Sequence, residues 1–239
     1  MIAVSWGAAT DVGKIRQVNE DSLVANGQVF VVADGMGGHA AGDVASRLAV
    51  EAFDGLAGDW SIRPEAVLNV VADANDSILD AARHGEGRGG MGTTVVGLIA
   101  VKTDGHDFWF AFNVGDSRLY RSFGGELEQV SVDHSLVQEL YEAGAITQEQ
   151  RRDHPRANVV TRVLGTDPTP MPDYWLRAPQ SGERFLLCSD GLSNEVPDDV
   201  LAATLAAGTD PQRTADHLVE LALTAGGRDN ITAIVVHTR

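Results

Sequence analysis

The sequence has a single cysteine, Cys188, in 239 residues. One thiol excludes an internal disulfide and any cysteine-built zinc site, and it fits a cytoplasmic setting. Basic residues are scarce: 18 Lys and Arg stand against 34 Asp and Glu, a formal net charge of −16. Such a chain repels nucleic acid and anionic lipid, so neither is expected as a partner. No apolar run reaches the about 18 residues of a membrane span. The opening MIAVSWGAATDVGK lacks the basic start and apolar stretch of a secretory signal. Pro/Ser-rich linkers, blocks of like charge and repeats of about 20–50 residues are missing too. What is present is 44% hydrophobic residues, enough for one core, so a single domain over residues 1–239 is expected. The acidity poses a problem for any phosphorylated substrate, which bound divalent cations would solve.

Hydrophobic periodicity predicts the elements. Ser22–Ala25 and Gln28–Ala33 flank Asn26-Gly27, a two-residue hairpin signal. Gly42–Ala57 reads as a helix, and Pro64 opens a second through about Ala82, with Val67, Val71, Ala74 and Ile78 as its stripe. Strands follow at Thr93–Lys102, Phe108–Val114, Arg118–Ser122 and Leu127–Val130, turning at Asp104-Gly105 and Gly124-Gly125. From His134 to Pro172 the chain changes character and reads as an inserted flap with two short helices. Arg184–Ser189 is a strand, helices lie near Pro197–Ala207 and Pro211–Thr224, and Asn230–His237 closes as a strand. Grouped strands with grouped helices argue an α+β fold: an antiparallel β-sandwich flanked by helices on both faces.

Two apolar strands end in Asp-Gly: VFVVADG, carrying Asp34, and RFLLCSDG, carrying Asp190. Asp116 lies in the turn of FNVGDSRLY, and Asp229, in GGRDN, precedes the last strand. Antiparallel strands can bring these positions to one rim. Converging carboxylates repel one another unless cations sit between them, and all-oxygen ligation suits Mg²⁺ or Mn²⁺. The Gly35 carbonyl is a further candidate ligand. Asp-Gly at a strand end is also ordinary turn chemistry. A rival reading takes Gly35-Met36-Gly37-Gly38-His39-Ala40 as a dinucleotide loop, with Asp54 as the distant acid. Asp34 would then face a pyrophosphate, and the alternating strands and helices of that fold are missing.

Six stretches carry a resemblance: TDVGKIRQVNEDS, VVADGMGGHAAGDVAS, GMGTT, VGDSRLY, LLCSDGLS and GGRDNITAIVV. In this order the chain resembles the protein phosphatase type 2C family, metal-dependent serine/threonine phosphoprotein phosphatases, in its bacterial form. The resemblance implies a helix-flanked β-sandwich holding two or three Mn²⁺ or Mg²⁺ ions. Asp34 would bridge two of them and the Gly35 carbonyl would ligate one. Asp190 and Asp229 would complete the main pair, and Asp116 with Asp190 would form a third site. Asp21 with Glu20 would support the second metal. Arg16 would grip the substrate phosphate, and His39 matches the general acid proposed in the family, although a structural role stays open for it. The reaction implied is hydrolysis of phosphoserine and phosphothreonine on proteins by a metal-activated water. The partners implied are phosphorylated proteins, among them a serine/threonine kinase, with the chain acting as a monomer. A pseudophosphatase that binds phosphoproteins without turnover is the alternative, and the complete acidic set argues against it.

Overall fold

The structure, a computed structural model, describes residues 2–37, 41–85, 90–152, 154–208 and 210–239. The chain begins with β1 (Val4–Asp11), the hairpin of β2 (Asp21–Asn26) and β3 (Val29–Gly37), then α1 (Gly42–Asp54) and α2 (Pro64–Arg83). Next come β4 (Met91–Thr93), β5 (Val95–Thr103), β6 (His106–Val114), β7 (Arg118–Phe123) and β8 (Glu126–Gln129). The segment 134–172 contributes α3 (Leu136–Glu142) and α4 (Gln148–Arg152), and β9 (Asp173–Arg177) and β10 (Arg184–Cys188) follow. The one-turn α5 (Asp190–Ser193), α6 (Asp198–Ala207), α7 (Pro211–Ala225) and β11 (Ile231–Thr238) end the chain.

These strands build two antiparallel sheets, ordered β1-β11-β10-β7-β8 and β2-β3-β5-β6-β9, with β4 added beside β3. Period-two alternation decides which side chain enters which layer. On β3, Phe30 and Val32 point between the sheets, while Val29, Val31 and Ala33 face α1 and α2. On β11, Ile234 and Val236 enter the same central layer, while Ala233 and Val235 face α6 and α7. Central strands are therefore apolar on both faces, which is why they read as continuous hydrophobic runs. Trp109 fixes the middle layer, with ring centroids 6.3 Å from Phe30 and 5.8 Å from Phe185. The outer layers follow from helix periodicity: Val67, Val71, Ala74 and Ile78 of α2 are all buried. The α-β-β-α sandwich expected from the sequence is the observed architecture.

The differences are local. The first helix stops at Asp54, not Ala57, because Gly55 caps it. The expected strand Thr93–Lys102 is broken at Thr94 into β4 and β5. Asp34-Gly35 does not end its strand, since β3 continues to Gly37 by pairing with β4. β1 and β9 are strands that the hydrophobic periodicity does not bound. The hairpin turns fall where expected, and Gly27 at φ +60° supplies the left-handed backbone the first requires.

Candidate metal centre and active site

The acidic residues collect at one rim of the sandwich from both sheets. Asp21 begins β2 and stands directly opposite Asp34 on β3. Asp116 sits in the tight β6–β7 turn, Asp190 opens α5 after β10, and Asp229 lies just before β11. Asp34 is locked by its backbone: its N–H donates to Thr94 Oγ1 at 3.1 Å, and its carbonyl accepts from Thr94 N–H and Thr93 Oγ1, each at 2.9 Å. The break at Thr94 thus lets two threonines brace the aspartate from behind. Asn194 Nδ2 donates to Asp190 Oδ2 at 3.1 Å, across the single turn of α5.

Burial beside like charge governs the electrostatics. Asp34 is held well above the usual carboxylate range by burial, then by the charges of Asp21, Asp190, Asp116 and Asp229. Asp116 is pushed up to about 8 by burial, with Asp190 and Asp133 adding to it. Asp21 is pushed up to about 7 by burial, although hydrogen bonds from Thr232 and Ser189 oppose the shift. Asp190 is raised by burial and by Asp229. One carboxylate cluster cannot hold all its charge unaided.

An all-oxygen set of this kind fits hard divalent cations, and three observations support the fit. Asp21 Oδ2 accepts from Ser189 Oγ at 2.8 Å and Thr232 Oγ1 at 2.7 Å, while Oδ1 is buried without a partner. The Gly35 backbone is pressed so close that a Cβ there would meet Gly42 O at 2.1 Å and Glu20 O at 2.5 Å, so only glycine fits beside Asp34. Four aspartates raise the pKa of Asp34 at once. Among the described residues, no three acidic, histidine or cysteine side chains already meet in one coordination sphere.

The remaining expected residues divide. Arg16, half exposed, donates from its guanidinium to Asp229 Oδ2 at 2.7 Å, which places its fork at the edge of the cluster. The Glu20 side chain turns instead to the start of α1, accepting the Gly42 N–H at 3.2 Å. Its backbone serves the site, since its carbonyl accepts the Gly35 N–H at 3.1 Å. His39 lies outside the described residues. Sequence reasoning missed Asn230, whose side chain accepts Glu20 N–H at 2.9 Å and donates to the carbonyls of Val12 and Val18, both at 3.0 Å. That one amide ties the Val12–Glu20 segment to the start of β11 beside Asp229, and its sequence signal was its place next to the aspartate in GGRDNITAIVV. A cleft of about 880 Å³ leads from Asp116, Asp190 and Asp229 outward between Gln148, Glu149 and Arg151 of α4 and the Asp198–Asp199 end of α6.

Fold and site together define a class, and the chain belongs to it: residues 14–223 match the protein phosphatase 2C family. Among relatives, it is similar to the serine/threonine protein phosphatase PstP of Mycobacterium tuberculosis, with 36% identity over 98% of this chain. The chain spans only 45% of that relative's length. It is 37% identical to the serine/threonine phosphatase stp of Listeria welshimeri, covering 95% of this chain and 93% of the relative. The crystal structure of the Mycobacterium tuberculosis PstP superposes with a TM-score of 0.93 at 34% identity, over all of both chains. A PstP catalytic domain in complex with two manganese ions superposes with a TM-score of 0.87 at 33% identity, over 99% of each chain.

Proposed function

We propose that this chain hydrolyses phosphoserine and phosphothreonine on proteins at a Mn²⁺ or Mg²⁺ centre of two or three ions. The observation that carries the reading is the convergence of Asp34, Asp190, Asp229, Asp116 and Asp21 at one rim, with carboxyl groups driven up by burial and by each other. Membership of the protein phosphatase 2C family and the two manganese ions of the PstP catalytic domain support it. Asp34, the Gly35 carbonyl, Asp190 and Asp229 would hold the main pair of ions. Asp116 with Asp190 would hold a third, and Asp21 with Glu20 would back the second. When bound, the ions supply a water acidified toward neutral pH and positive charge against the phosphoryl oxygens.

The chain's own residues do the rest. Arg16 presents a planar fork that matches two phosphoryl oxygens at once. His39 is assigned the proton that the serine or threonine oxygen needs on leaving. The flap, residues 134–172, forms one wall of the cleft and is assigned the choice of protein substrate. Phosphorylated proteins, including a serine/threonine kinase, are the partners proposed for a monomer acting in the cytoplasm. No helix among the described residues is long and apolar enough to cross a membrane.

The direct test is chelation. Hydrolysis of a phosphothreonine peptide is expected to vanish in EDTA and to return with Mn²⁺ or Mg²⁺. Full activity in the chelated, metal-stripped protein would refute the reading, and a metal-loaded protein that binds phosphopeptides without turnover would be a pseudophosphatase.

A paired-substrate experiment separates the other roles. A charge-assisted hydrogen bond contributes about 1.5–3 kcal/mol, so Arg16→Ala should lose roughly 10–150-fold in kcat/KM, mostly in KM. His39→Ala should lower kcat for phosphoserine peptides, whose leaving group is a poor alkoxide, and largely spare an activated aryl phosphate. Exchanging the flap for a relative's should change peptide preference and also spare the aryl phosphate. Equal kcat losses on both substrates for His39→Ala would remove the general-acid role. Collapse of aryl phosphate hydrolysis in a folded flap chimera would remove that division of labour.

A further inference from the structure

His134 stands between the end of β8 and α3, buried at 6% exposure. It grips Gly115 twice. The Gly115 N–H donates to His134 Nδ1 at 3.0 Å, and the His134 N–H donates to the Gly115 carbonyl at 2.9 Å. Because Nδ1 accepts, the ring proton sits on Nε2. Nε2 faces Asp173 Oδ2 at 3.2 Å, near but poorly aligned for a full hydrogen bond. Arg162 holds the other oxygen of Asp173 at 3.0 Å. The tautomer that reads Gly115 is set by the Gly115 N–H, and the Asp173 carboxylate on the far side of the ring favours the same proton position on Nε2.

Gly115 needs such a clamp. Its φ of +115° is open to glycine and strained for other residues, and a Cβ would meet the Thr94 side chain at 2.5 Å. The turn is pressed onto the same threonine that braces Asp34, and Thr94 Oγ1 also meets Ser117 Oγ at 2.8 Å. Asp116 lies between Gly115 and Ser117. We infer that His134 is a positioning residue for Asp116: by gripping both polar groups of the Gly115 backbone, it sets where the Asp116 carboxylate meets a divalent cation. The inference rests on the proposed assignment of Asp116 as a ligand. The His134 carbonyl also accepts the Thr161 N–H at 2.8 Å. The neck of the flap and the ligand-bearing turn therefore share one anchor.

Two variants separate positioning from packing. His134→Asn keeps an acceptor near the place of Nδ1 and loses the reach to Asp173. His134→Gln keeps that reach and leaves the Gly115 N–H without its acceptor. Both lose the ring, so both lower the melting temperature. The discriminating readout is a calorimetric Mn²⁺ titration without substrate, with Asp116→Asn as the reference that removes the third site. Loss of a residue that orients a ligand typically weakens metal binding by about 10–100-fold. His134→Gln should show that loss in the site missing from Asp116→Asn, with the other sites unchanged, and His134→Asn should stay within a few-fold of wild type. Equal Mn²⁺ isotherms for the two variants would overturn the inference. So would a folded His134→Asn that loses the site, which keeps the test decisive even if His134→Gln does not fold. An isotherm unchanged by Asp116→Asn would instead sink the ligand assignment itself.

Discussion

Asp34→Asn and Asp190→Asn are each expected to abolish turnover in a folded protein, lowering kcat by at least about 10³-fold. Removing a single oxyanion donor already costs about 10²–10³ in kcat, and these carboxylates are proposed to hold the charge that stabilises the transferred phosphoryl group. Asn remains isosteric and can still hydrogen-bond, so the backbone locks of Asp34 to Thr93 and Thr94 should survive. Stability should move the other way. Asp34 is buried beside four other aspartates that hold its carboxyl protonated, so an Asn that never ionises removes the cost of keeping that proton in the fold and should raise the melting temperature of the metal-free protein. Saturating Mn²⁺ should stabilise wild type more than either variant, because binding to the native state alone adds stability by mass action. Thermal scans with and without Mn²⁺, run beside phosphopeptide kinetics, test both halves. Near-normal kcat in either variant would refute its assignment. A metal-free Asp34→Asn that melts below wild type would contradict the repulsion argument.

Much of this was legible because the signals were local and repeated. The hairpin at Asn26-Gly27, the α2 stripe and the apolar strands bearing Asp34 and Asp190 each follow from a period or a turn residue. The resemblance carried the residue roles, since spacing alone could not say which aspartate would bridge two ions. Other features depend on contacts distant in sequence. β9 spans five residues and exposes Tyr174 and Leu176 at the sheet edge, so its pattern gave no buried face to find. β1 contains Gly7, whose missing side chain makes room for α7: a Cβ there would meet Gln212 Cα at 2.2 Å. Its glycine and alanines match no strand template, although its eight residues pair fully with β11. The continuation of β3 past Asp34 depends on the three residues of β4, which no periodicity reveals. His134 was invisible for a related reason. A lone histidine after an aspartate says nothing until the Gly115 turn is seen against its ring.

Above pH 6.5 the metal-free protein should lose stability as pH rises, and saturating Mn²⁺ should shrink or reverse that loss. Free aspartate titrates near 3.9, whereas Asp21 is pushed up to about 7 and Asp116 to about 8 in the fold. Between those values the folded protein keeps protons that the unfolded chain has released. More protons on the native state means that stability falls with rising pH, and the fall is complete once pH passes the folded pKa values. His134 and His237, both lowered by burial, act in the opposite direction but only below their ordinary pKa of about 6.5. A window from about pH 6.5 to 8.5 is therefore dominated by the carboxylates, with the buried Cys188 thiol, pushed up to about 12, adding a small fall only as pH nears the ordinary thiol value. Each group contributes up to about 1.4 kcal/mol per pH unit while its folded form is still protonated. The loss should total a few kcal/mol, or on the order of 5–10 °C in melting temperature for a chain of this size. Cations require ionised ligands, so Mn²⁺ competes with these protons and stabilises more at high pH. The gap between Mn²⁺-loaded and EDTA-treated melting temperatures should accordingly widen from pH 6.5 to 8.5. A gap that narrows, or an EDTA-treated protein that melts higher at pH 8.5, would mean that the carboxylates at this rim are not held protonated by burial and mutual repulsion.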